Sequence, residues 1–113
     1  MKAPNLNFVY TATDTSYTQN LEENGILSGF MIKIPAFTGV GTVTVSILDE
    51  DDDVIYSLGT LSENTTYVVG EGLSTNVTIS VPVNRDFKVT IELTVVAGLG
   101  GGVILFKPFI WDA

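Results

Sequence analysis

The chain has 113 residues, a formal charge of −8, and neither histidine nor cysteine. Without imidazole it lacks the usual general base near neutral pH and the commonest metal ligand, and without thiols it forms no disulfide and no thiolate site. Thirteen acidic residues against five cations speak against phosphate neutralisation on a nucleic acid and against attraction to anionic lipid.

In chain order, residues 1–5 contain Pro4 and Asn5 and read as a flexible N-terminal arm. Leu6, Phe8, Tyr10 and Ala12 then alternate as in a strand. "TQNLEEN" offers the one helical expectation, a single turn capped by Thr18 or Asn20. After Asn24-Gly25, a strand runs through Ile26, Phe30, Ile32 and Ile34 to Pro35. Thr38 to Gly41 is a turn, and "TVTVSIL" places Val43, Val45 and Ile47 opposite Thr42, Thr44 and Ser46. "VIYSLG" follows the acidic run Asp49 to Asp53, and Gly70-Glu71-Gly72 is a further turn. "NVTISVPV" alternates through Val77, Ile79, Val81 and Val83. After Asn84-Arg85-Asp86, "RDFKVTIELTV" alternates from Phe87 to Val95. Such period-two segments, rich in β-branched residues and punctuated by turn formers, are strands with one dry and one wet face. They number about eight antiparallel strands, too many for one open sheet. The expected fold is an all-β sandwich, jelly-roll-like, in a single domain spanning residues 1–113.

The last segment, "VILFKPFIW", is apolar on both faces. Ile104, Phe106, Pro108 and Ile110 share one face; Val103, Leu105, Phe109 and Trp111 share the other with Lys107. Cover for the second face comes either from loops of the same domain or from a neighbour. Leu105, Phe109 and Trp111 are the interface candidates, aromatic anchors being favoured at contacts. Pro108 cannot donate to a ladder, so this strand is expected at an edge or with a bulge there.

Asp49, Asp51 and Asp53 match the first three ligand positions of an EF-hand loop. Val54 then stands where Gly is required and Thr60 where a bidentate Glu belongs, and strands replace the helices. The run reads as a solvated hairpin turn, with a loose Ca²⁺ site at these three carboxylates as the alternative. A hairpin tip gives no cleft for carboxylate-pair catalysis. "GLGGG", Gly98 to Gly102, lacks the Gly or Ala that a dinucleotide fingerprint needs at Val103, and no helix follows. Asn64 and Asn76 head glycosylation tripeptides. With no histidine, serine chemistry would rest on Lys2, Lys33, Lys88 or Lys107. Tyr17, Tyr56, Tyr67 and Trp111 would be needed together for a sugar-stacking platform. No catalytic residue or cofactor is assigned, and the expectation is a protein without enzymatic activity.

Charged residues make up only 16% of the chain and 45% is hydrophobic, whereas a soluble monomer keeps about a quarter or more of its surface charged. Surface covered by other subunits is expected. The start, "MKAPNLNFVYTATD", shows no apolar signal region, and no apolar run reaches the ~20 residues of a membrane helix; a soluble protein made in a cytoplasm is expected.

The stretch from Ile26 onward joins a strand ending in "IPAF", a Thr/Val strand, the "DEDDDVIY" hairpin, "LSENTTY" and two long strands around a Gly-rich turn. In this order it resembles small accessory proteins of tailed-bacteriophage particles. The resemblance implies a virion structural role, as a capsid decoration protein or a head or tail fibre module. It also implies binding to other virion proteins, the major capsid protein first, and a symmetric homo-oligomer, commonly a trimer. It transfers no functional residues. The alternative is a β-sandwich module for carbohydrate or another ligand, assisted by Ca²⁺ at Asp49, Asp51 and Asp53.

Overall fold

The computed structural model describes residues 2–36, 41–70, 80–95 and 102–112. The alternating segments form β1 (Leu6–Val9), β2 (Ser16–Asn20), β3 (Gly25–Ile34), β4 (Thr42–Leu48), β5 (Val54–Ser62), β6 (Thr65–Gly70), β7 (Val81–Val83), β8 (Lys88–Leu93) and β9 (Val103–Trp111), with no helix among the described residues. The expected turns at residues 38–40 and 71–72, the strand positions Val77 and Ile79, and the run Gly98 to Gly101 lie outside the described residues.

The pairing follows one scheme. β1 pairs with β9, β2 with β8, β3 with β6 and β7, and β4 with β5, all antiparallel. The chain is thus a single long hairpin whose tip lies between β4 and β5. It is wound so that β9 also pairs with β3, and β8 with β4. Winding yields two sheets, ordered β1-β9-β3-β6 with β7 also on β3, and β2-β8-β4-β5. With β6 and β7 counted as two parts of one edge position, this is the eight-stranded jelly roll. The fold class read from the sequence is the fold observed.

The inward faces of the two sheets make the core. Phe8, Phe30, Ile32, Ile104, Phe106 and Ile110 come from the first sheet, and Val43, Ile47, Val89 and Ile91 from the second, all nearly inaccessible to solvent. Phe30 sits 5.0 Å from Phe106 within its own sheet and meets Tyr56 of the other sheet edge-on at 5.9 Å, an arrangement aromatic rings favour. On the outer face of β4, Ser46 is the one polar side chain buried among the described residues, and its hydroxyl lies 3.1 Å from that of Ser57. Burial of this kind, about 25 cal/mol per Å² of apolar area removed from water, is what holds the sandwich closed.

Three expectations change. "TQNLEEN" forms no helical turn: its first half belongs to β2, where Thr18 and Asn20 pair with Thr90 and Lys88. β2 is polar along most of its length and is a strand because β8 supplies its backbone partners, with Leu21 buried just beyond it.

Residues 2–5 do not hang free. Lys2 exchanges backbone bonds with Ile110, N–H to O at 2.7 Å one way and 2.8 Å the other.

Pro108 lies on neither an edge strand nor a bulge of its own, because β9 runs between β1 and β3. The register shared by β1 and the Lys2–Ile110 bridge puts Pro4 opposite Pro108, at a position where two residues would exchange N–H bonds. Two prolines meet and that rung is simply missing. On its other side Pro108 faces Phe30, in the alternate position that asks for no N–H. The irregularity of this pair of strands lies between Leu27 and Gly29 on β3.

Candidate functional site

The two outer faces differ in chemistry. On the second sheet, Thr18, Thr90, Ser46 and Ser57 fall into one row across all four strands. The Thr18 and Thr90 hydroxyls are 3.1 Å apart, as are those of Ser46 and Ser57. The row is polar and satisfies itself.

The outer face of the first sheet is largely apolar, interrupted by Asn7, Lys33, Thr66 and Lys107. Its rows, read across the strands, are Val9 with Val103, Asn7 with Leu105, Lys33 and Thr66, Lys107 with Met31 and Val68, and Trp111 with Ile26 and Pro82. Val9, Val103 and Trp111 are 58, 40 and 46% exposed, whereas the inward residues of the same strands are nearly inaccessible. Leu105, Lys107 and Phe109 are half-buried. The three interface candidates Leu105, Phe109 and Trp111 therefore share one face, as their spacing requires in a strand. Val9, Ile26, Met31 and Val68 extend that face from three other strands. Single residues of this type draw no notice in a sequence, and only strand register brings them onto the same face as Phe109 and Trp111. Val54 and Val95, the other well-exposed valines among the described residues, lie on or beside strands of the second sheet and join no such group.

Charge is distributed in the same sense. None of β1, β3, β6, β7 and β9 contains an acidic residue. Lys33 and Lys107 are the cations of the first sheet. Lys107 pairs with Met31 and Lys33 with Leu105, which makes the lysines diagonal neighbours on adjacent strands, typically about 7–8 Å apart. Neither makes an ion pair among the described residues.

The acidic run is the tip of the central hairpin. Asp49 Oδ1 accepts the backbone N–H groups of Asp51 (2.9 Å) and Asp53 (3.0 Å), and Asp52 stands at a φ of 64°. Lys88 Nζ donates to Asp52 Oδ1 at 2.6 Å, and Asn84 donates to Glu50 at 3.0 Å. Asp49 thus acts as a local turn former, and among the described residues no group of three or more acidic side chains converges as a metal site would require.

Of the four lysines of the serine–lysine idea, Lys33 and Lys107 are the neighbours just described, and the other two are ion-paired elsewhere. Lys2 pairs with Glu23 (3.2 Å) and Asp112 (3.3 Å), and Lys88 with Asp52. Hydrogen bonds to these carboxylates raise both lysines above their ordinary 10.5, away from the range of a general base.

The aromatic side chains do not form a platform either. Tyr17, Tyr56 and Tyr67 pack against the core, leaving Trp111 as the exposed member of the set. Tyr17 instead ties the β1–β2 connection, donating to Asp14 O at 2.8 Å and accepting from Thr11 N–H at 3.1 Å. Asn64 occupies the β5–β6 turn at a φ of 53° and donates its N–H to Pro35 O; Asn76 lies outside the described residues. Gly102 packs against the Tyr10 ring, too closely for a side chain, which is the packing role that a glycine beside a strand often has.

Set beside known proteins, the chain matches no family model and no curated protein.

Proposed function

We propose that this chain is a non-enzymatic structural protein of a virus particle, a decoration or accessory protein that docks on the major shell protein and stabilises it by buried area. The observation that carries the reading is the apolar outer face of the first sheet, centred on Leu105, Phe109 and Trp111. A sandwich needs only its inner faces dry, and the second sheet follows that rule with its hydroxyl row. A second apolar face on a folded domain marks a contact surface. The resemblance of the order of strands and turns to that of phage accessory proteins supports the same reading. The jelly roll agrees with it without carrying it, since viral capsid domains and lectins both use this fold.

The test is co-expression with the genes that flank its own, followed by purification of the particles that form. Wild-type chain should travel with the particle at a fixed ratio, and Trp111→Ser should leave it while folding normally by circular dichroism. Particles that assemble without any of the chain would overturn the reading.

A further inference from the structure

Resting on that docking reading, we infer that the partner surface which covers the first sheet is itself apolar and bears carboxylates opposite Lys33 and Lys107, and that a second copy of this face is a poor occupant.

The argument is one of charge complementarity. The chain carries −8 overall, yet the strands of the first sheet hold two lysines and no acid. Both lysines stand on the outward face, flanked by Leu105 and Met31. Covering that face removes both ammonium groups from water. A covered charge is costly unless the covering surface supplies an acceptor of opposite sign. Among the described residues no carboxylate pairs with either lysine: Glu23 and Asp112 are engaged with Lys2, and Asp52 with Lys88. A face-to-face pair of copies would bring four lysines together with no acid between them. Like charges set against each other across an interface disfavour that pairing, often by several kcal/mol. A partner with apolar residues for Phe109 and Trp111 and carboxylates for the lysines satisfies both demands.

A defined probe for that chemistry is the chain itself with Lys33→Glu and Lys107→Glu, which presents the same apolar face with carboxylates in place of the ammonium groups. Sedimentation velocity is run on wild type alone, on the double variant alone, and on an equimolar mixture, at low and at physiological salt. The expected result is a 1:1 complex in the mixture, at least about tenfold tighter than self-association of wild type, and weakened by salt. The complex should be lost when the double variant also carries Trp111→Ser. A mixture that associates no better than wild type alone overturns the inference. So does a wild-type dimer that Trp111→Ser dissolves, which would make a second copy the occupant while leaving the face a docking surface. The particle experiment above tests the docking role separately, because it depends on Trp111 and not on the lysine charges.

Discussion

Gly29 on β3 and Gly70 on β6 face each other in register, and neither has room for a side chain. A Cβ on Gly29 would run into the carbonyl oxygen of Val69, and one on Gly70 into that of Ser28. Gly70 also has a φ of 80°, a region open to glycine at little cost. Because both obstacles are backbone, no rotamer change relieves them. Gly29→Ala and Gly70→Ala should each cost about 2–3 kcal/mol, read as a lower urea midpoint with an unchanged slope.

Thr60 presents the opposite case, a β-branched residue at a φ of 61°. It lies where β5 carries extra residues against β4, between the pairs Val43 with Leu61 and Val45 with Leu58. Its exposed side chain gains little from the strain. Thr60→Asn should raise stability by about 0.5–1 kcal/mol, since Asn enters the left-handed region more readily. A loss on equilibrium denaturation would show that the threonine makes a compensating contact.

The turn at the hairpin tip depends on one carboxylate. Asp49→Ala removes the acceptor of two backbone N–H groups, from Asp51 and Asp53, and should cost about 1 kcal/mol. Asp51→Ala has no such bond to lose and should be near neutral. Amide exchange at residues 51 and 53 should accelerate in the first variant alone.

Alkaline pH separates four groups. Lys2 and Lys88 are raised above 10.5 by hydrogen bonds to their carboxylate partners, and Tyr56 is raised above 10.0 by burial. Their contributions are complete below these ordinary values and vanish as pH climbs through the raised ones. Tyr67 is lowered below 10.0 because its phenolic oxygen accepts the Ser62 N–H at 2.7 Å. Its contribution has the other sign: present above the ordinary value and lost as pH falls through the lowered one. Absorbance at the phenolate band should therefore show Tyr67 ionising before Tyr56, with the Tyr67 step absent in Tyr67→Phe. The stability difference between wild type and Asp52→Asn should persist to about pH 10.5 and then close.

Much of the fold was legible because strands announce themselves by period. β4, β8 and β9 show their alternation without help, and the apolar side of β9 that faces outward was visible in Leu105, Phe109 and Trp111. β2 was not visible, since "SYTQN" has no apolar stripe and owes its conformation to pairing with β8. Pro108 misled for a related reason. The rule that a proline avoids interior strands assumes a neighbour that needs its N–H, and the neighbour here is Pro4, a residue 104 positions earlier in the chain. Lys33 and Lys107 showed the same gap, each an ordinary solubilising residue by itself. Their shared setting, free of acids, depends on register, which a single sequence does not display.

The nested pairing also sets an order in time. β4 and β5 can close as soon as both have left the ribosome, across a turn of five residues, whereas β1 must wait for β9, which is made long after it. Until then Leu6 and Phe8 lack the neighbour they have in their own sheet, because among the described strands β1 pairs with β9 alone. Joining ends so distant is slow relative to local pairing. The newborn chain thus carries β1 unsheltered until β9 is made, and any helper protein that binds it should be captured there and released when Val103 to Trp111 arrives.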